Sequence, residues 1–155
     1  MGLDMYLTKH IFIGAEYGGI TGNIELARDN KPLSIDISKV NKIVESVAYW
    51  RKANAIHNWF VQTLANGEDN CQPIYCTIDD LQKLLAICEH IMAEPTEDFR
   101  QELAAKLLPP CEGFFFGSTK IDEDYWKDLK YTIEILKGAV ERHDNGVYYE
   151  YRASW

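Results

Sequence analysis

The chain lacks the local signatures by which most enzymes announce themselves. It has no C-x-x-C pair, no Walker-type or dinucleotide glycine pattern and no G-x-S-x-G elbow. Phosphate-loop chemistry, thioredoxin-like redox chemistry and α/β-hydrolase chemistry therefore have no motif to stand on. Basic residues are also scarce: 16 Lys and Arg face 24 Asp and Glu, for a formal net charge of −8. Only Arg51 and Lys52 are adjacent cations, so there is no basic stripe to track a phosphate backbone, and a nucleic-acid partner is not expected. No apolar run reaches membrane-spanning length and no secretory signal is present. Gly2 is followed by Tyr6 where myristoylation wants Ser or Thr. These features predict a cytoplasmic protein with no membrane attachment.

The four cysteines, Cys71, Cys76, Cys88 and Cys111, match no common zinc spacing. They read as reduced thiols, with Cys88 on an apolar helix face. Neither a metal nor a cofactor is expected. Against these absences stand a hydrophobic fraction of 46% and a charged fraction of 26% over 155 residues. That is enough to bury one core, and residues 1–155 read as a single domain.

Period-two alternation over Leu3–Ile13 predicts a strand, with Leu3, Met5, Leu7, Ile11 and Ile13 on one face. Asp4, Tyr6, Thr8, His10 and Phe12 take the other. Gly14–Gly22 reads as a loop. Asn23–Ala27 and Pro32–Ile37 read as short strands around an Arg28–Lys31 turn. Val40–Tyr49 fits both a helix and a strand, and the spacing of Val40, Val44 and Val47 favours the helix. Trp50–Asn66 reads as a helix because Ala53, Ile56, Phe60 and Leu64 recur on one side, and Asn66-Gly67 stops it.

Gln72–Cys76 suits a short strand, and Thr77 caps a helix whose stripe is Leu81, Leu84, Leu85, Cys88 and Met92. A shorter helix runs from Pro95-Thr96 to about Leu107. Gly113–Thr119 is strand or loop, and its three phenylalanines suit a ligand wall or an interface patch but read more readily as core. Thr119 and Asp122 resemble a capping box before a last helix with the seam Trp126, Leu129, Ile133, Leu136 and Val140. Val147–Trp155 alternates again and suits a closing strand beside the first. The expected fold is α+β: a small antiparallel sheet containing both terminal strands, packed against four or five helices.

Chemical capability concentrates in Tyr49–Phe60. On a helix, Arg51, Asn54, His57 and Asn58 form one polar patch bordered by Trp50 and Lys52. Arg51 and Lys52 would supply charge, Asn54, His57 and Asn58 hydrogen bonds, and Trp50 a stacking face. The expected pocket lies between this helix and the first strand. The same residues also suit a structural task, with Arg51 pairing an acid of the last helix and Asn54 and His57 bonding backbone at the sheet edge. If chemistry occurs, His57 and Asp4 are the candidate general base and its orienting carboxylate. His10, His57 and Asp4 have no metal-ligand spacing.

Met1-Gly2-Leu3-Asp4-Met5-Tyr6-Leu7, the Tyr49–Phe60 segment and Gly113–Thr119 with the following helix resemble a group of small uncharacterised proteins of bacteriophages, prophages and bacteria. Members share a "GLDMYL" start and a "YWRKAN-IH-WF" segment. The resemblance spans most of the chain and implies a phage-type accessory protein in the cytoplasm of a bacterial host. It transfers no catalytic residue. The sequence thus points to a non-enzymatic binder of a small anionic or nucleotide-like molecule or of a host protein. The alternatives are a small hydrolase or transferase built on His57 and Asp4, and a pure inhibitor of protein–protein contacts.

Overall fold

A computed structural model describes residues 2–20 and 24–155. In chain order the elements are β1 (Asp4–Phe12), β2 (Ala27–Arg28), β3 (Lys31–Pro32), β4 (Lys42–Arg51), α1 (Asn54–Leu64), β5 (Ile74–Cys76), α2 (Ile78–Ala93), α3 (Glu97–Leu107), α4 (Glu123–Glu141) and β6 (Val147–Ser154). The fold is α+β. One antiparallel sheet has the order β4-β1-β6-β5, so both terminal strands sit at its centre. β2 and β3 form a separate small ribbon, shorter than the strands expected around the Arg28–Lys31 turn. Asn23, at the start of the first of these, lies outside the described residues, and Ile37 belongs to a 3-10 turn capped by Asp36. No helix among the described residues is long and apolar enough to cross a membrane.

The alternation of β1 works as expected at its start. Leu3, Met5 and Leu7 are fully buried under the helices, while Asp4, Tyr6 and Thr8 face the other side of the sheet. β6 buries Tyr149, Tyr151 and Ala153 on the same inner face. Lys9 also points inward and is buried. Its stem lies along apolar surface, and its ammonium donates to the Arg142 carbonyl at 2.6 Å and pairs with Asp144 at 3.0 Å. That places a cation at the C-terminal end of α4, where the helix dipole favours it.

Residues 42–51 form a strand where the valine spacing favoured a helix. The reason is visible in the pairing. Tyr6 faces Tyr49 and Leu7 faces Ala48, but Thr8 faces Ser46, so Val47 is the extra residue of a β-bulge. The bulge breaks the period of two and scatters Val44 and Val47 across the faces. The strand also runs through Trp50 and Arg51, so the helix begins only at Asn54.

The helices form one layer over the inner face. α1 lies by β5, α4 by β4, α2 packs against α4, and α3 against α2. The Thr77 hydroxyl accepts from the Asp80 amide and the Asp80 carboxylate accepts from the Thr77 amide, a full capping box. α4 buries Tyr125, Leu129, Thr132, Leu136 and Ala139. Its expected seam is rotated by about one residue, since Trp126 and Ile133 pack only partly. Asp122 caps α4 directly, accepting from the Asp124 and Tyr125 amides, in place of the expected Thr119 box. All four cysteines are free.

Phe60 is the keystone of the inner face. It is fully buried and lies parallel to Tyr151, with ring centroids 4.0 Å apart and an interplanar angle of 6°. Phe60→Ala is expected to lower the free energy of unfolding by about 3–5 kcal/mol in urea titrations, with little change in m.

Candidate functional site

The site is built at the corner where β4 turns into α1. Lys52 takes a left-handed conformation, φ 61°, which lets the chain reverse from strand to helix within two residues. Its amide donates to the Leu3 carbonyl at 2.8 Å, which ties the corner to the start of β1. Asn54 follows, almost fully buried. Both hydrogens of its amide nitrogen are used, to the Phe116 carbonyl at 3.1 Å and the Ser118 carbonyl at 2.8 Å. The loop after α3 is thereby held against α1. Gly117 lies in this loop with φ 93°. A Cβ there would meet the Lys52 Cβ at 3.1 Å, so glycine serves both the turn and the close approach.

Between this corner, the Gly117–Ser118 loop and the first turns of α4 lies a cavity of about 350 Å³. Its cations are Arg51, Lys52, Lys120 and Lys127, and its carboxylates are Asp122, Asp124 and Asp128. Lys127 is paired with Glu123 and Asp124, and Asp122 is occupied as the α4 cap. Arg51 lies 4.0 Å from Asp4 at the rim. Among the described residues, Lys52 and Lys120 have no carboxylate within 4.0 Å. The first turn of α1 also lines the cavity, and no side chain caps it, so its leading amides add positive potential.

Asp128 stands on the α4 side of this cavity. Burial raises its carboxyl pKa to about 6, with Asp124 and Asp122 adding to the effect. The cavity therefore carries cations and carboxylates together, with Asp128 contributed by α4. It can receive an anion at Lys52 and Lys120 and a hydroxyl or amine donor at Asp128. The pocket is not the one expected between α1 and β1, because apolar residues of β1 and α1 fill that space.

The expected polar patch is divided. Arg51 and Lys52 precede the helix and border the cavity together with Asn54. Trp50 does not offer a stacking face. It is 2% exposed, and its indole N–H donates to the Thr132 hydroxyl at 2.9 Å. Asn58 donates to the Pro109 carbonyl at 3.0 Å, pinning α1 to the end of α3. His57 is 1% exposed and bonded on both ring nitrogens. Its Nε2 donates to the Asp69 carboxylate at 3.0 Å, and its Nδ1 meets the Tyr151 hydroxyl at 2.7 Å.

The proposed pairing of His57 with Asp4 does not form. Asp4 lies on the outer face of β1, where it accepts from the Tyr49 hydroxyl and faces Arg51. Asp69 takes the place beside His57, and its other oxygen accepts from the Trp155 indole at 3.3 Å. Cys111 shares a groove of about 150 Å³ with His57 and Asp69. Burial pushes its thiol up to about 11, and it donates to the Asn54 carbonyl at 3.3 Å. A thiol so held is a poor nucleophile near neutral pH.

Sequence reasoning missed Lys120 and Asp128. Lys120 was invisible because only folding brings residues 117–120 to the start of α1. Asp128 had one available signal: with Asp124 it falls at i, i+4 on the cavity side of the last helix. No protein-family model matches the chain, and no curated protein or solved structure matches it either.

His57→Leu would strand the Tyr151 hydroxyl and remove one partner of Asp69. The expected loss of stability is about 1–3 kcal/mol, measured by chemical denaturation. Asp128→Asn should act in the opposite direction. An acid whose pKa is raised by folding binds its proton more tightly in the folded state, so its burial costs stability above pH 6. That cost fades as pH falls toward the ordinary carboxyl range near about 4. Asp128→Asn is expected to stabilise the protein by roughly 1–2 kcal/mol at pH 7.5, a gain that shrinks by pH 5 in thermal melts.

Proposed function

We propose that the protein is a non-enzymatic binder of a small anionic molecule that also carries hydroxyl or amine donors, as a nucleotide or sugar phosphate does. The observation that carries this reading is the cavity at the β4–α1 corner, lined by Asp128 and by Lys52 and Lys120, which among the described residues have no ion partner. Unpaired ammonium groups beside an uncapped helix start favour an oxyanion. The Asp128 carboxyl in the same cavity would repel a plain dianion and accept from a ligand hydroxyl. Such a site selects an ambipolar ligand over a bare phosphate.

The wider setting, a phage-type accessory protein acting in bacterial cytoplasm, rests on the resemblance of the "GLDMYL" and "YWRKAN-IH-WF" segments and is part of the same proposal. A host protein is the second reading. It is favoured by the open outer face of the sheet, where Tyr6, Tyr49 and Tyr75 are 44%, 45% and 68% exposed. Tyrosines of this kind are common contact residues.

Isothermal titration calorimetry with pyrophosphate and with ribose 5-phosphate tests the cavity. Both should bind, and Lys52→Ala and Lys120→Ala should each weaken binding about five- to tenfold, in line with the loss of a charge-assisted hydrogen bond. Sulfate keeps its charge across this pH range. Its affinity should rise as pH falls from 7.5 to 5.5 and Asp128 takes up its proton, a dependence that Asp128→Asn removes. The absence of binding heat for every one of these anions sinks the reading.

A further inference from the structure

Phe114 and Phe115 are large apolar side chains left on the surface. They were expected in the core, yet they are 67% and 51% exposed while Phe116 beside them is 5% exposed. Phe115 is also held at φ 59°, a conformation that side chains other than glycine's seldom adopt. It is the conformation in which the two rings pair edge to face, with centroids 4.3 Å apart. The surrounding bonds enforce it. The Phe116 amide donates to the Gly113 carbonyl at 3.2 Å, and Asn54 grips the Phe116 and Ser118 carbonyls. Two exposed aromatic rings on a backbone that neighbouring bonds hold in one conformation form a preformed surface for contact with something else.

The location says what that is. The Phe115 carbonyl lies 3.8 Å from the position a Cβ would take at Gly2. The same point is 3.4 Å from the Lys52 Cε and 3.9 Å from an Arg51 guanidinium nitrogen. The Phe115 backbone, Gly2 and two of the four cavity cations, Arg51 and Lys52, are thus gathered at one spot, and the same loop lines the cavity from Gly117 onward. An aromatic surface beside cations suits a planar ring attached to an anion.

We propose that Phe115, supported by Phe114, is the ring-binding rim of the cavity, and that the ligand is a nucleotide whose phosphate lies at Lys52 and Lys120. This deepens the function proposed above and rests on it. Phe115 determines specificity by stacking against the base, and the Arg51 guanidinium is placed to border the same ring. The anion holds the ligand in the cavity; the phenylalanine distinguishes a nucleotide from a sugar phosphate.

The test compares adenosine 5′-monophosphate with ribose 5-phosphate, which shares its phosphate and sugar and lacks the base. Calorimetry should show the nucleotide binding at least about tenfold more tightly, about 1.4 kcal/mol. Phe115→Gly should abolish that preference while leaving ribose 5-phosphate affinity unchanged. Its melting temperature should hold or rise, since glycine relieves the left-handed backbone. Phe115→Tyr, which keeps a ring of the same shape, should retain the preference. Equal affinity of the two ligands for the unaltered protein, or a nucleotide preference that survives Phe115→Gly, overturns this inference and leaves the anion site standing. Failure of both ligands and of pyrophosphate to bind overturns the anion site and the ring rim together.

Discussion

The buried carboxamide of Asn54 is the contact on which the site depends. It joins two segments more than sixty residues apart in sequence by giving both of its hydrogens to carbonyls of one loop. A buried amide with one donor unused would cost on the order of 1–3 kcal/mol, so the loop has one favourable position and is held there. The geometry of the corner follows from that position. Gly117 is pressed against Lys52, Ser118 and Lys120 are brought to the start of α1, and Phe115 is held in its left-handed turn.

A second polar node acts one helical turn further on. His57 bridges Asp69 and Tyr151, and Asp69 in turn accepts from Trp155. Tyr151 has its pKa raised well above the ordinary value by burial, and it stays a neutral hydroxyl able to donate. The node locks α1 to the central strand β6 with polar geometry where apolar packing alone would tolerate sliding. Asn54 and His57 are therefore complementary. His57 fixes the helix on the sheet, Asn54 fixes the loop on the helix, and the cavity lies in the space these constraints leave open. Its electrostatics are mixed for the same reason. The corner supplies Arg51, Lys52 and the uncapped start of α1, while α4 supplies Asp124, Lys127 and Asp128.

Much of this architecture was legible as pattern. The strand at Asp4–Phe12, the capped helix after Thr77, the helix after Asp122 and the closing strand beside the first all follow from local periodicity and capping chemistry. The failures have local causes. The bulge at Val47 removed the alternation that would have marked β4 as a strand, and its valines then fell at near-helical spacing. The strand-to-helix corner has no glycine or proline to punctuate it, because Lys52 itself takes the left-handed turn. A helical reading of this stretch sets Trp50 and Arg51 beside His57, whereas they belong to a strand.

The sequence by itself determined the fold class, the presence of both terminal strands in one sheet and the crowding of costly polar groups into Arg51, Lys52, Asn54 and His57, because those follow from short-range periodicity and composition. Only the tertiary structure decided what each of them does. Asp4 and His57 lie on opposite sides of the sheet, a consequence of strand alternation and helix placement together. Trp50 is turned inward to Thr132, while Phe114 and Phe115 are turned out. Lys120 and Asp128 reach the cavity only when the 113–119 loop and α4 have packed against α1. A hydrogen-bond donor in a sequence declares that it needs a partner; which partner it finds depends on segments that only the folded chain brings together.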